Sequence, residues 1–205
     1  MIGIIDYGMG NILSVKNALE SLGAEVKICQ NPKEIEKTEK LVLPGVGSFG
    51  DCIKNLTQKD FVNALQKSVI IKKKQILGIC LGMQVMAKKS YEGGDFDGLG
   101  WFDAEVEKIK PSDSSLRIPH VGWNNLKYSK ETFIFKNLPE SFDTYFVHSY
   151  YMNCKNKEEV VATFEYGGNF TAAIQKDNIV AMQFHPEKSQ DYGMTILDNF
   201  LRWRQ

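Results

Sequence analysis

The sequence predicts an α/β fold, with an open, mostly parallel sheet, helices on both faces and added antiparallel strands in the C-terminal half. In the first half of the chain, short apolar runs alternate with helical stretches, as they do in proteins with a parallel sheet. After the turn-rich stretch EGGDFDGLG, the segments become short strands separated by turn residues. Because no linker or internal repeat divides the chain, we expect residues 1–205 to form one domain.

The first half can be assigned element by element. The strand IGII precedes NILSVKNALESLG, whose apolar residues share one helical face and whose Gly23 closes the helix. The strand EVKIC precedes NPKEIEK, where Asn31 is the predicted cap and Pro32 the first helical residue. The strand KLVLP leads through a glycine loop into the helical DFVNALQKSVIIKKK. The fourth strand is QILGI, and we expect a helix over residues 81–89 after it.

The second half supplies the remaining strands and a last helix. In open parallel sheets, ligands bind at the carboxyl ends of the strands, and Asp6, Pro44 and Cys80 all fall at such ends. We therefore expect the functional site at this edge of the sheet. The predicted strands are WFDAEVEKI, TYFVHSYYM, VVATFEY, FTAAIQ and NIVAMQF, and the last helix is DYGMTILDNFLRW.

Composition excludes several classes of function. Lys and Arg number 25 together, as do Asp and Glu, so the net charge is zero and nucleic acid is not expected as a partner. No apolar run approaches the roughly 18 residues of a membrane span, and the N-terminus does not resemble a signal peptide. The four cysteines form no CxxC pair, which indicates reduced thiols in the cytoplasm. We expect Cys29, Cys52 and Cys154 to be small buried apolar residues.

The stretch GVGSFG, residues 45–50, fits the dinucleotide-binding pattern G-x-G-x-x-G. Three features disfavour such a site: the stretch follows the third strand, the next strand ends in a cysteine instead of an acid, and the first turn lacks the third glycine. A second interpretation is that the glycines let backbone N–H groups turn outward to stabilise an oxyanion. A plain tight turn is the remaining alternative.

The stretch GICLG, residues 78–82, has the form of a nucleophile elbow. Small neighbours at Gly78 and Gly82 would prevent collisions at a sharp strand-to-helix corner. The helix that follows would favour the thiolate of Cys80, and the N–H of Leu81 would point at an oxyanion formed beside it. A buried structural cysteine is the alternative.

A thiol nucleophile requires a base, and the chain has three histidines, at positions 120, 148 and 185. His185 is the best candidate because it closes a strand and Pro186 favours an extended backbone there. Residues two apart in an extended segment face the same side, so Glu187 can hold one ring nitrogen while the other serves Cys80. The sequence thus predicts a Cys–His–Glu triad. No two histidines or cysteines show ligand spacing, so we expect neither a metal nor another cofactor.

The motifs PGVGSFG, GICLGMQ and QFHPEKS, in this order, resemble the triad-type (class I) glutamine amidotransferases. IIDYGMGN, IPHVGWN and YFVHSYY are similar to the glutaminase subunits of imidazole glycerol phosphate synthases, which serve histidine biosynthesis. GLGWFDAEVEKI looks closer to sister glutaminases that supply ammonia for surface-sugar amidination, and this alternative stays open. A non-catalytic binding module would not require the three triad residues together.

The resemblance implies a flavodoxin-like fold and a role for each matching residue. Cys80 would be the nucleophile, His185 the general base and acid, and Glu187 the residue that orients the histidine. The backbone of Gly45, Val46, Gly47 and Leu81 would form the oxyanion hole. Substrate glutamine would contact Gln84, Ser149 and Tyr150, and the partner would contact Trp123, Tyr145 and Lys188.

The resemblance also implies a reaction and a partner. Cys80 would attack the side-chain amide of L-glutamine, release ammonia and form a thioester that water hydrolyses to glutamate. The ammonia would pass to a (β/α)₈-barrel cyclase subunit in a heterodimer, and that subunit would make imidazole glycerol phosphate and AICAR. Direct transfer is reasonable because free ammonia is mostly protonated near neutral pH and then is no nucleophile.

Overall fold

The computed structural model describes residues 1–128 and 132–204. Its strands are β1 (Ile2–Ile5), β2 (Val26–Cys29), β3 (Lys40–Gly45), β4 (Gln75–Cys80), β5 (Ala87–Ser90), β6 (Phe96–Asp97), β7 (Phe102–Lys108), β8 (His120–Tyr128), β9 (Ser141–His148), β10 (Tyr150–Cys154), β11 (Val160–Glu165), β12 (Asn169–Lys176) and β13 (Ile179–Met182). Its α-helices are α1 (Ile12–Ser21), α2 (Pro32–Ile35), α3 (Phe49–Gln58), α4 (Phe61–Leu65), α5 (Leu81–Gln84) and α6 (Gln190–Arg202). A π-helical segment, Gln66–Ile71, continues α4, and 3₁₀ turns lie at Phe133–Phe135, Lys157–Glu159 and Pro186–Lys188.

The main sheet has the strand order β2-β1-β3-β4-β13-β12-β11-β8-β9. The strands from β2 to β13 pair in parallel, whereas those from β13 to β9 pair antiparallel. A smaller sheet, β10-β7-β5-β6, lies beside it. The predicted α/β class, with a mostly parallel first half and antiparallel additions, is confirmed.

Helices cover both faces of the parallel sheet. On one face, Val15 of α1 and Phe200 of α6 pack on strand residues such as Ile4, and on the other face Leu56 of α3 packs with Ile5. Consecutive strand residues point to opposite faces, so both faces carry an apolar layer. Each large side chain buried in this way contributes about 1.5–3 kcal/mol of hydrophobic stabilisation. Among the described residues, no helix has the length and apolar character needed to cross a membrane.

The helix expected over residues 81–89 is wrong beyond its first turn. α5 ends at Gln84, and Ala87–Ser90 forms strand β5 between β6 and β7. The backbone oxygen of Met86 accepts hydrogen bonds from the N–H groups of Trp101 and Phe102, at 3.0 and 3.2 Å. Pairing with distant strands therefore outweighs the local helical pattern.

Helix α3 and strands β6 and β8 were not predicted. α3 starts after Ser48, whose hydroxyl accepts a hydrogen bond from the N–H of Asp51 at 3.3 Å, a cap that the sequence S-F-G-D could have indicated. β8 contains the quoted IPHVGWN stretch and pairs with β9 and β11. Asn31 occupies the cap position of α2, as predicted, but its side chain makes no capping hydrogen bond.

The corner after Cys80 depends on a close approach between α5 and β3. A Cβ atom built on Gly82 would lie 1.8 Å from the carbonyl oxygen of Leu43, and one on Gly78 would lie 2.9 Å from the Cβ of Ala181. No rotamer change can relieve a contact with backbone. The expectation that small residues flank Cys80 for packing reasons is thus supported by the geometry.

Replacing Gly82 by alanine is expected to lower the free energy of unfolding by about 3 kcal/mol, because β3 and α5 must separate to accept the methyl group. Urea denaturation measures this. Gly168→Ala is the control, since its added Cβ would meet the ring of Phe170 at 3.2 Å, and a ring can move. Equal stability of the two variants would contradict the account of the corner.

Candidate active site

Cys80 lies at the carboxyl end of β4 in a backbone conformation that L-residues rarely adopt. Its φ is 54° and its ψ is −111°, and the side chain is 6% exposed. Such strain occurs where the surrounding structure holds a residue in place, as it does at a nucleophile elbow. The thiol faces a cavity of about 250 Å³. The cavity is lined by Val46, Gly47, Cys80, Leu81, Gln84, Glu92, Val147, His148, Ser149, Tyr150 and His185.

His185 and Glu187 form a buried pair beside this thiol. The Nδ1 of His185 lies 2.8 Å from Oε1 of Glu187, and the same oxygen accepts a hydrogen bond from Nδ2 of Asn11 at 3.1 Å. Because a carboxylate accepts, Nδ1 carries the proton and Nε2 is directed away from the pair. Nε2 is buried and has no hydrogen-bond partner among the described residues, so it is available to a reacting group.

The charge state of His185 follows from its neighbours. Burial lowers its pKa, but the interactions with Cys80 and Glu187 together outweigh burial and raise the pKa to about 9. An imidazolium beside a thiol stabilises the thiolate, and the carboxylate stabilises the imidazolium. Cys80, His185 and Glu187, the predicted triad, therefore lie together. A positive imidazolium stands between the thiol and the carboxylate, as nucleophilic attack by sulfur requires.

The loop that follows β3 forms the opposite wall of the cavity. Val46 and Gly47 line it, whereas Gly45 pairs with Cys80 in the β3–β4 ladder. The hydroxyl of Tyr7 donates to the carbonyl oxygen of Pro44 at 3.0 Å and fixes the start of the loop. The stretch GVGSFG is thus beside the thiol, where the oxyanion interpretation requires it.

The helix after Cys80 is shorter than expected, and this reduces its effect on the thiol. α5 has four residues, so a helix dipole contributes less to thiolate stabilisation than a long helix would. Leu81 lines the cavity next to Cys80, so the N–H groups of the corner itself remain the relevant donors. The main positive neighbour of the thiol is His185.

Gln183 and Glu92 are among the residues near the thiol that the sequence did not indicate, and of these two Glu92 lines the cavity. Gln183 follows β13, whose last pair, Met182 with Ile79, places it beside Cys80, and its Nε2 lies 3.6 Å from the sulfur. Glu92 accepts a hydrogen bond from the N–H of Phe49 at 2.8 Å, and burial raises its pKa. Gln183 could have been found from its place in QFHPEKS, but nothing local marks Glu92.

Gln84, Ser149 and Tyr150, which were expected to contact a ligand, all line the cavity. The Nε2 of Gln84 donates to the backbone oxygen of Tyr150 and to Oε1 of Gln183, both at 2.9 Å. Since these bonds use both amide protons, the carbonyl oxygen of Gln84 is the atom left for a ligand N–H. The cavity thus offers an acceptor and a carboxylate besides the thiol.

The remaining cysteines are buried and chemically quiet. Burial raises the pKa of Cys29 to about 11 and that of Cys52 and Cys154 to about 12. They are free thiols packed in the apolar core, as predicted. Within residues 1–128 and 132–204, no group of three or more His, Cys, Asp or Glu side chains is placed to hold a metal ion.

The three residues expected at a partner surface lie together on the outer side of the sheet. Trp123 of β8 pairs with Tyr145 of β9, and their rings are 5.9 Å apart in an edge-on arrangement. The ammonium of Lys188 lies 5.6 Å from the centre of the Tyr145 ring. Val121 and Val147 form the next pair on the same face of these strands and are exposed, so the strands present an apolar face.

Comparison with known proteins agrees with this geometry. Residues 3–203 match the family model described as "Glutamine amidotransferase class-I". The chain is 49% identical over 202 residues to imidazole glycerol phosphate synthase subunit HisH 1 of Campylobacter jejuni (strain RM1221), covering 98% of this chain and 100% of that protein. It is 45% identical to a subunit HisH 2 of Methanococcus maripaludis, covering 98% and 99%. Among solved structures, PurLQS from Thermotoga maritima matches with a TM-score of 0.76 at 18% identity, covering 98% of this chain and 96% of that one.

Proposed function

Because the chain belongs to the class-I glutamine amidotransferase family, we propose that it is the glutaminase subunit of an imidazole glycerol phosphate synthase and serves histidine biosynthesis. The observation that carries this proposal is a free thiol sharing one cavity with a histidine that a buried carboxylate holds. The relatives named above are not described as enzymes of surface-sugar amidination, so nothing favours that alternative. The whole chain acts as one domain, and the cytoplasm is its expected location.

The proposed reaction uses the triad in two steps. The Cys80 thiolate attacks the side-chain carbonyl carbon of L-glutamine, and the backbone N–H groups around Val46, Gly47 and Leu81 stabilise the oxyanion. His185 gives its proton to the leaving nitrogen, so that ammonia departs and a γ-glutamyl thioester remains on the sulfur. His185 then takes a proton from water, which attacks the thioester and releases glutamate and the thiolate.

The proposed substrate contacts follow from the polar groups of the cavity. The carboxylate of Glu92 suits the α-ammonium of glutamine, and the carbonyl oxygen of Gln84 suits an N–H of the substrate. Ser149 and Tyr150 contribute the wall beside the amino-acid end. These contacts fix the substrate amide carbonyl near Cys80, and such fixation supplies much of the rate enhancement in reactions of this type.

The proposed partner is a (β/α)₈-barrel cyclase that receives the ammonia. Val147 belongs both to the cavity lining and to the exposed apolar face of β8 and β9, so the cavity borders that face. Trp123, Tyr145 and Lys188 lie on the same face. Aromatic residues of this kind are the usual anchors of a protein interface.

The test measures glutamate release from L-glutamine by this chain with the histidine-pathway cyclase of the same organism and its ribonucleotide substrate. Strong stimulation is expected, with the ammonia recovered in imidazole glycerol phosphate. Trp123→Ala should weaken the affinity for the cyclase by about tenfold or more. Ile71→Ala is the control and should not, because Ile71 is also an exposed apolar residue but lies before the amino end of β4, whereas Cys80 lies at the carboxyl end. Failure of the cyclase to bind or to stimulate would contradict the assigned pathway.

A further inference from the structure

Two buried histidines outside the triad lie next to the cavity. His120 of β8 and His148 of β9 are directly paired across the antiparallel ladder, and both are almost inaccessible to solvent. The Nδ1 of His120 lies 3.2 Å from Nε2 of His148, and Nδ1 of His148 lies 2.8 Å from the backbone oxygen of Tyr150. His148 lines the cavity. The reaction described above uses neither residue.

The protons of this pair can be assigned from one fixed end. A carbonyl oxygen only accepts, so Nδ1 of His148 must carry a proton and donate to Tyr150. Burial lowers the pKa of His148 to about 3 and that of His120 to about 4, so both rings are neutral at physiological pH. A neutral ring with a protonated Nδ1 has a bare Nε2, and Nδ1 of His120 must therefore donate to Nε2 of His148.

The same assignment continues to Asn124. The bare Nε2 of His120 accepts from the amide of Asn124 at 3.3 Å, and that amide also donates to the backbone oxygen of Glu165 at 2.8 Å. The Asn124 side-chain oxygen accepts from the N–H of Asn125 at 2.7 Å, which fixes the orientation of the amide. Every donor in this hydrogen-bond network has an acceptor. The bonds that run from Asn124 through His120 and His148 to Tyr150 all point towards the cavity.

The cavity end of this hydrogen-bond network is connected to Cys80 through further hydrogen bonds. The backbone oxygen of Tyr150 accepts from His148 and also from Nε2 of Gln84. Gln84 is bonded to Gln183, and Gln183 donates to the sulfur of Cys80. The Tyr150 carbonyl is therefore held from two sides, and the wall formed by Ser149 and Tyr150 has a defined position relative to the thiol.

We propose that Asn124, His120 and His148 are positioning residues, which hold the Ser149–Tyr150 wall in the geometry that binds the amino-acid end of the substrate. This inference rests on the proposed glutaminase function and adds to it residues that act through the Ser149–Tyr150 wall and are not part of the triad. Loss of these hydrogen bonds is expected to weaken substrate binding and to leave the reactivity of the thiol unchanged.

Asparagine and glutamine variants separate the two contacts of each ring. The amide nitrogen of asparagine can take the place of histidine Nδ1, whereas that of glutamine reaches the place of Nε2. His148→Asn can still donate to Tyr150, and His120→Asn can still donate to His148. The two glutamine variants lose these bonds. His120→Gln leaves the buried Nε2 of His148 without a donor, and His148→Gln leaves the Tyr150 carbonyl held by Gln84 alone, so each is expected to weaken binding about tenfold.

The experiment measures covalent labelling of Cys80 by the diazoketone analogue of L-glutamine, with the full chain and increasing analogue concentration. The glutamine variants should need about ten times more analogue for half-maximal labelling rate, and the asparagine variants should stay within about threefold of wild type. Iodoacetamide, which needs no amino-acid recognition, should alkylate Cys80 equally fast in all five proteins. Thermal unfolding checks that each variant is folded.

The inference would be overturned if the asparagine and glutamine variants needed the same analogue concentration for half-maximal labelling rate. A parallel loss of iodoacetamide reactivity would also overturn it, since either result indicates a merely structural role. The His120 pair decides the matter if His148→Gln does not fold. Wild-type labelling that L-glutamine prevents supports the proposed function independently of the variants. If the wild-type chain is not labelled, the proposed function fails, and the inference fails with it.

Discussion

Cys80→Ala is expected to lower glutamine hydrolysis by about four orders of magnitude or more, measured as glutamate release in the complex with the proposed cyclase. The reason is that the proposed reaction depends on a covalent bond to this sulfur, and Cys80 is the one thiol that lines the cavity among the described residues. Unfolding by urea should change little, because the side chain is small and borders the cavity.

Cys52→Ala is the matched control for this variant. Cys52 is also a free thiol, but it is fully buried in the core, and burial raises its pKa to about 12. Its replacement should cost some stability and leave the turnover of the folded protein near that of wild type. Glutamate release that survives in Cys80→Ala would show that the nucleophile has been assigned wrongly.

Glu187→Gln is expected to reduce kcat by about 10²–10⁴-fold while the fold is retained. The carboxylate holds the proton on Nδ1 of His185 and stabilises the imidazolium, and an amide can do neither reliably. Glu187 also helps to raise the pKa of His185 to about 9. Without the carboxylate this pKa falls, so the protonated form is lost at a lower pH.

The alkaline limb of the pH–rate profile should therefore move to lower pH in Glu187→Gln. Glu36→Gln is the control, since Glu36 is exposed and its surface ion pairs with Lys67 and Lys72 contribute little. An unchanged profile and a kcat close to that of wild type would mean that Glu187 has only a structural role.

The fold class could be predicted, and so could the proximity of Cys80, His185 and Glu187, because their signals are local. The strand ends, the glycines around Cys80 and the spacing of His185 and Glu187 are each visible within a few residues of sequence. The helix over residues 81–89 was predicted wrongly because pairing of β5 with β6 and β7 is not encoded locally.

The other residues near the thiol depend on contacts between distant segments. Gln183 reaches Cys80 through the register of β13 with β4, and His148 reaches its partner through the register of β9 with β8. Glu92 reaches the cavity from the turn after β5, where it accepts the first N–H of α3. A pattern within one sequence gives the residue types at these positions but not the strand pairing that brings them together.

The most direct test of covalent catalysis by Cys80 is detection of the γ-glutamyl thioester. The complex would be mixed with isotopically labelled L-glutamine, quenched in acid during turnover, and digested for mass spectrometry. One glutamyl group is expected on the peptide containing Cys80, removed by hydroxylamine and absent from Cys80→Ala. Continued glutamate formation with no label on Cys80, or with the label on another residue, would contradict it.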